Sequence, residues 1–365
     1  ALFVFGIVLT ASRTGIVGVI LLALWGVLDR RLSRSTRIAL LLTPLLYLVC
    51  WFGLTAWAHE AHQVFAGETH IAAESDISSS RFKIWADTLS LIVQHPWLGV
   101  GFGEFNFAWS LTPFPHRPVA FFDHTHNLPL QFVVELGLPL ATLVLALLTY
   151  ALWRAYAAGR DASGPQATLL RAAFMMVLMM AVHSQLEYPL WYAYFLLPTA
   201  FAFGLCLGGG VPRLGVSALA FASTLLLAGA VFSVFDYRRV VVIFDPPAEA
   251  ASLEERITAG QRSWFFAHHA DYAAATTVER PSEAMASFKV ATHYLLDTRL
   301  MMAWATALNE AGDVERARHL AQRLREFRNE DSKAFFEPCD ASPKPAELPF
   351  QCTPPSRAMD YRDFR

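Results

Sequence analysis

Six long apolar runs decide what this chain can become. They extend over Leu2–Leu28, Ile38–Ala58, Leu128–Trp153, Ala172–Tyr188, Pro189–Leu207 and Leu214–Phe235. A helix needs about 20 apolar residues to cross the roughly 30 Å hydrocarbon core of a bilayer. Lipid offers no water to backbone groups, so only helices and closed barrels span it. The runs lack the strand period of two, which selects helices. The predicted fold is all-α: a polytopic membrane helix bundle of about six spans, with a large loop between the second and third and a helical soluble domain at the C-terminus. With 55% hydrophobic and 16% charged residues, the chain is too apolar for a soluble globular protein.

Charge divides the chain. Residues 1–235 hold 12 Lys/Arg and 11 Asp/Glu, whereas 236–365 hold 17 and 20. A membrane domain, 1–235, is thus expected before a soluble domain, 236–365. The net charge of −2 provides no basic field, so no nucleic acid partner is predicted. The chain opens inside an apolar run without an initiator Met, and reads as a piece whose earlier helices are missing, not as one bearing a signal peptide.

Short loops orient a bundle through their Lys and Arg. Arg30, Arg31, Arg34 and Arg37 separate the first two runs, Arg154, Arg160 and Arg171 the third and fourth, and Arg213 precedes the last. These loops are expected in the cytoplasm. Counting crossings then places the loop 59–126, the Glu187-Tyr188-Pro189 turn and the C-terminal domain on the opposite face. For a Gram-negative cell this describes a multi-pass inner-membrane protein with a periplasmic tail. Cys339 and Cys352 fall in that oxidising compartment, which leaves a disulfide between them open.

After the breaker Asp245-Pro246-Pro247, residues 248–328 space Ala, Leu and aromatic residues at helical period. Met302–Ala317 resembles a tetratricopeptide unit, with Trp304 and Leu308 in one helix, Gly312 at the turn and Ala317 in the next. Its Trp-to-Gly spacing is short for that repeat, and one unit builds no solenoid. A helical hairpin offering a protein-binding surface is expected. The five prolines of 343–355 predict irregular chain there.

Four polar features carry the candidate chemistry. Arg13, in Ser12-Arg13-Thr14-Gly15, stands within an apolar run, where an Arg costs at least a few kcal/mol and faces a partner or a wet cavity; alternatively the helix starts after it and it snorkels. In the large loop, Ser78-Ser79-Ser80 precedes Arg81, and Phe82, Trp85, Leu89 and Ile92 suggest a helix lying on the bilayer. Arg81 would then sit at the positive helix end, a favourable place for phosphate. The stretch Pro96-Trp97-Leu98-Gly99-Val100-Gly101-Phe102-Gly103-Glu104-Phe105-Asn106 follows; its glycines fit a tight turn at positive φ better than a dinucleotide loop. Glu104 and Asn106 are candidate substrate contacts.

At the end of the loop stands Asp123-His124-Thr125-His126-Asn127. Two His one residue apart invite a metal pair, but Cys ligands are absent and no third ligand is evident, so no metal site is predicted. A neutral imidazole suits proton abstraction from a hydroxyl near pH 7. The bland alternative is a pair of interfacial histidines holding water and backbone. His183-Ser184-Gln185-Leu186-Glu187-Tyr188-Pro189 forms the other outward turn, either lining the same cavity or belonging to an interfacial aromatic belt.

In their order and spacing, Ser12-Arg13-Thr14-Gly15, Ser80-Arg81 with Trp85, Pro96–Gly101, His124–Asn127 and Glu135-Leu136-Gly137 resemble the Wzy-C superfamily of O-antigen ligases, O-antigen polymerases and protein O-oligosaccharyltransferases, over about residues 1–155. His183–Pro189 and the helical tail resemble the PglL-type O-oligosaccharyltransferase branch. The resemblance implies transfer of a glycan from an undecaprenyl-diphosphate carrier to an acceptor hydroxyl, without metal, nucleotide or other cofactor. It implies that Arg81 and Arg13 bind the diphosphate and that His126 is the general base. His124, Asn127, Glu187 and His183 would orient it or contact substrate. The acceptor would be a Ser or Thr of a pilin-like protein, the lipid A core, or a growing glycan, with membrane lipids as surroundings. Two non-enzymatic readings stand beside this: a transporter or flippase component, disfavoured because no inverted repeat is evident, and a tethering protein whose tail recruits partners.

Overall fold

Local chemistry interrupts the first and the fifth apolar runs. Ala11 adopts φ +50°, and Ser12 accepts the Gly15 amide as an N-cap. The run Leu2–Leu28 therefore becomes α1 (Leu2–Thr10) and α2 (Arg13–Leu28). In the fifth run Pro189–Trp191 forms a 3₁₀ turn. The computed structural model describes residues 2–64, 81–115, 117–118, 122–208, 215–341 and 348–365. The remaining membrane-type helices are α3 (Arg34–Leu41), α4 (Thr43–Glu60), α7 (Leu128–Asp161), α8 (Gly164–His183), α9 (Ala193–Leu207) and α10 (Val216–Phe244). Helices α5 (81–94) and α6 (Phe105–Leu111) lie in the large loop. The tail contains α11 (Leu253–Gly260), α12 (Ala267–Thr277), α13 (Met285–Ala291), α14 (Thr298–Glu310), α15 (Val314–Phe327) and α16 (Lys333–Ala341). No strand occurs among the described residues.

Among the described residues, four helices are long and apolar enough to cross a membrane: Arg34–Glu60, which joins α3 and α4, then α7, α8 and α10. Helices α2 and α9 are apolar but shorter, because the cap at Ser12 and the 3₁₀ turn at Pro189 consume part of each run. Among the described residues, the six apolar runs thus hold four full-length helices and two short ones. Arg213 and the serine cap before Arg81 lie outside the described residues, as does the start of the proline-rich segment.

The chain divides into two units. The first comprises Ala1–Phe82, Thr125–Phe132 and Leu140–Val211. In it Val4, Val8 and Val19 pack on Tyr47 and Ala58, joining α1 and α2 to α4. Small residues let α7, α8 and α9 approach closely at Ala155, Ala173 and Ala202. Asp29 pairs with Arg171 at 2.8 Å and accepts the Trp25 indole at 3.1 Å, tying α2 to α8.

The second unit comprises Lys83–His124, Val133–Pro139 and Pro212–Arg365. Every residue of α6 is buried. Its Trp109 meets Phe327 of α15 edge-on, with centroids 5.4 Å apart. The Arg117 guanidinium lies over both rings and bonds Glu326 at 3.1 Å. Burial pushes its pKa down to about 10, opposed by Glu326. The loop is thus cemented to the tail by an aromatic and cationic core. Helices α14 and α15 form a hairpin with Gly312 at φ +86° in its turn, Trp304 and Leu308 in the first arm and Ala317 in the second. Cys339 and Cys352 are disulfide-bonded, with a Cα–Cα distance of 5.3 Å.

Two glycine-bearing motifs far apart in sequence meet within this unit. Gly137 sits inside α7 at φ +74°, which breaks the helix, and Pro139 has no amide to give Glu135. The carbonyls so released are reused: Val134 O accepts the Val100 amide at 2.8 Å and Glu135 O the Gly101 amide at 3.1 Å. In return the Leu138 amide donates to Pro96 O at 2.8 Å. The backbones approach so closely that a Cβ on Gly99 would lie 2.5 Å from Glu135 C, and one on Gly137 2.5 Å from Trp97 C. Gly137→Ala is expected to destabilise the protein by more than the about 1–3 kcal/mol of a strained backbone alone. Gly103→Ala, at φ +79° with nothing within 4 Å among the described residues, should cost only the strain. Thermal melts of both variants in detergent check the difference.

Candidate active site

The site assembles in the first unit from three chain segments. One is the tight turn before α7. The buried Thr125 donates its amide to Gln131 Oε1 at 2.8 Å and its hydroxyl to Asn127 O at 2.9 Å. Asn127 Oδ1 accepts the Leu130 amide at 3.0 Å as the N-cap of α7. Between these anchors His126 is held at φ +54°. A non-glycine residue in the left-handed region persists only where its surroundings over-determine it, and such residues cluster at functional sites.

The second segment is the turn after α8. Amides of Leu186 and Glu187 donate to His183 O at 3.0 and 2.9 Å, and Ser184 O accepts the Leu128 amide at 2.8 Å. The Asn127 side-chain amide adds a bond to Gln185 O at 3.1 Å. These bonds lock the start of α7 to the end of α8 and fix where Glu187 stands. The third segment is the start of α5, where Arg81 is the first helical residue.

These segments converge on Glu187. Its Oε2 lies 2.7 Å from His126 Nδ1, while Oε1 accepts from the Arg81 guanidinium. The Tyr188 ring meets the imidazole edge-on, with centroids 4.9 Å apart. Side-chain exposures of 12% for His126 and 21% for Arg81 leave both only partly wet. Among the described residues, Arg81 Nε is buried with no hydrogen-bond partner.

Burial alone would raise the Glu187 pKa, but hydrogen bonds and charge from His126 and Arg81 outweigh it and hold the carboxyl below the ordinary value. The carboxylate is therefore ionised at neutral pH. A depressed folded-state pKa contributes stability that is complete above the unfolded value, about 4.3 for Glu, and lost as pH falls through the folded value. The bridge is expected to persist through pH 5 to 8 and to fail only in the acid range below about 4.3. Glu187→Gln should remove this acid transition from a pH-dependent melt.

The other candidates take different places. Arg13 opens α2, partly buried beside its Ser12 cap. At 1.5 Å per residue it stands about 22 Å along the helix from Leu28. His183 ends α8 with its ring edge-on to Phe195 at 5.8 Å. Both ends of the Asn127 side chain are committed to backbone. His124, Glu104 and Asn106 belong to the second unit. There His124 Nδ1 lies 3.0 Å from Asp123 Oδ1, Glu104 pairs with His293 at 2.9 Å, and Asn106 Oδ1 accepts the Leu296 amide at 2.7 Å. Among the described residues no group of three His, Cys, Asp or Glu is placed to hold a metal ion.

Sequence reading ranked Glu187 as a helper, placed Ser184 and Tyr188 in the same outward turn without giving either a role, and did not single out Gln131. One signal was present: Glu187 is the sole acidic residue between Asp161 and Asp236, and a lone carboxylate among apolar spans needs cationic partners.

Chemically, a carboxylate on Nδ1 fixes the imidazole tautomer, makes Nε2 the basic nitrogen, and stabilises the imidazolium formed when it takes a proton. A neighbouring guanidinium on the same carboxylate supplies a donor fork matched to phosphate.

No solved structure matches the chain. A family described as "O-Antigen ligase" matches residues 1–145, and one described as "Virulence factor membrane-bound polymerase, C-terminal" matches 171–336. Two curated relatives from Acinetobacter baylyi are similar. A "General O-oligosaccharyltransferase" is 28% identical over 212 residues, 56% of this chain and 36% of the relative. A "ComP-specific O-oligosaccharyltransferase" is 28% identical over 207 residues, 55% of this chain and 35% of the relative. The chain thus spans about a third of the length of these relatives. Its quoted motifs, its apolar helices and the two matched segments agree in placing its similarity with the Wzy-C group of membrane proteins.

Proposed function

We propose that the chain carries the acceptor-activating half of a glycosyltransferase that moves a glycan from undecaprenyl diphosphate to a hydroxyl on the periplasmic side of the inner membrane. The Arg81–Glu187–His126 bridge carries this reading, because it sets a base and a phosphate-binding cation on one carboxylate. The acceptor hydroxyl attacks the anomeric carbon while His126 Nε2 takes its proton. The bond from that carbon to the carrier phosphate breaks, and undecaprenyl diphosphate leaves with its negative charge stabilised by Arg81. The buried Arg81 Nε suits a phosphate oxygen. Arg13, at membrane depth, is assigned to the same diphosphate.

The favoured acceptor is a Ser or Thr of a pilin-like protein, because of the helical tail; the names of the two relatives, both O-oligosaccharyltransferases, support an O-linked acceptor. The hairpin α14–α15 is assigned to protein contact as a single tetratricopeptide-like unit. On this reading residues 1–235 are the membrane domain and 236–365 the periplasmic one. The match to the O-Antigen ligase family favours a second reading, transfer to the lipid A core or to a growing polymer. Mass spectrometry of proteins and lipopolysaccharide from a strain lacking the gene separates them. Loss of modified peptides supports the first, and loss of O-antigen with intact glycoproteins supports the second.

A further inference from the structure

Helix α10 and the loop after α11 build a surface that glycan transfer does not use. From Val216 to Phe235 α10 carries no charge. About 20 residues at 1.5 Å each reach about 30 Å, the thickness of the hydrocarbon core. Asp236, Arg238 and Arg239 follow, so the water boundary falls just after Phe235. Phe232 lies one turn inside it, on the same helix face as Asp236.

Asp236 is buried, and its Oδ2 accepts the Ser263 hydroxyl at 2.7 Å and the amides of Trp264 and Phe265 at 2.9 and 3.0 Å. Ser263 Oγ accepts the Phe266 amide at 2.9 Å, and Tyr237 packs edge-on against Phe266 at 5.0 Å. The loop is thereby clamped to α10. Yet the clamp turns its largest side chains outward: Trp264 is 81% and Phe265 54% exposed. Both rings pack edge-on against Phe232, at 5.8 and 5.7 Å. Two rigidly presented aromatic rings, continuous with a span residue at lipid depth, match the interfacial preference of Trp and Phe. Arg239, half exposed, donates to Arg262 O at 3.2 Å and brings basic charge to the rim, where phosphate headgroups lie.

We propose that Trp264 and Phe265 form a wedge that embeds in the headgroup–acyl boundary of the leaflet around the C-terminal end of α10, and so fixes the depth of the tail at the bilayer. The partner is a phospholipid surface, with the arginines favouring anionic headgroups.

The test uses the full chain in nanodiscs of phosphatidylcholine and phosphatidylglycerol. An environment-sensitive fluorophore is placed on Trp264→Cys in a Cys50→Ala, Cys206→Ala background, which leaves the Cys339–Cys352 disulfide intact. The exposed Glu254 of α11, as Glu254→Cys, is the control. Phospholipids spin-labelled near the headgroup should quench position 264 several-fold more than 254, and aqueous iodide should quench it several-fold less. Equal iodide access at both positions overturns the proposal. Shielding from iodide without quenching by labelled lipid also overturns it, because protein would then cover the rings. Phe265→Cys repeats the measurement, so an ill-folded first variant does not decide the outcome.

Discussion

His126→Ala is expected to leave the chain inserted and folded while lowering glycan transfer by about 10²–10⁴-fold, the usual contribution of a positioned general base. The backbone supplies the control. Position 126 holds φ +54°, a region that Asn tolerates far better than Ala. His126→Asn should therefore keep the turn and the Asn127 cap with their native stability yet transfer as poorly as His126→Ala. If both variants are inactive and only the alanine melts early, chemistry and folding have been separated. Full transfer by His126→Asn, in liposomes containing a lipid-diphosphate glycan, would falsify the assignment of the base. Glu187→Gln tests the same pair from the other side. The amide keeps the shape but not the charge that stabilises an imidazolium, so its loss should appear in turnover and not in acceptor affinity.

Arg81→Ala carries the second large effect. Removing one preorganised donor from a developing anion costs about 10²–10³ in turnover. Here the same guanidinium also braces Glu187. Arg81→Lys discriminates these tasks: it keeps the charge beside the carboxylate but loses the planar fork that grips phosphate in two places. The lysine variant should hold the acid transition of the melt near native while still using the donor poorly. Native donor use by Arg81→Ala would remove the diphosphate from this side of the bridge.

Much of the fold was legible because lipid leaves a chain few options. Apolar runs of sufficient length become helices, and each of the six runs contains one. What escaped was where a run is broken by a short-range cap, as at Ser12, or by a proline-led turn, as at Pro189. Periodicity does not register a single hydrogen bond. At the candidate site, residue types in Arg81, His126 and Glu187 pointed to phosphate and proton chemistry. Their convergence on one carboxylate was not legible, because it depends on the bonds from Leu128 and Asn127 to the turn after α8. The meeting of Pro96–Gly101 with Val134–Leu138 was equally hidden. Gly99 and Gly137 are needed for a backbone approach that only the partner chain segment reveals.

A carboxylate with two cationic neighbours is also a thermodynamic link between them. By linkage, the free energy by which an anion's capture of Arg81 changes the Glu187–His126 contact equals the free energy by which that contact changes anion binding. An anion that draws Arg81 away would leave Glu187 more fully committed to the imidazole. In the reverse direction, a tighter Glu187–His126 contact would loosen the hold of Glu187 on the guanidinium and free Arg81 to take the anion more tightly. On the proposed reading, one glutamate would suffice to couple the two substrates without any movement of a helix.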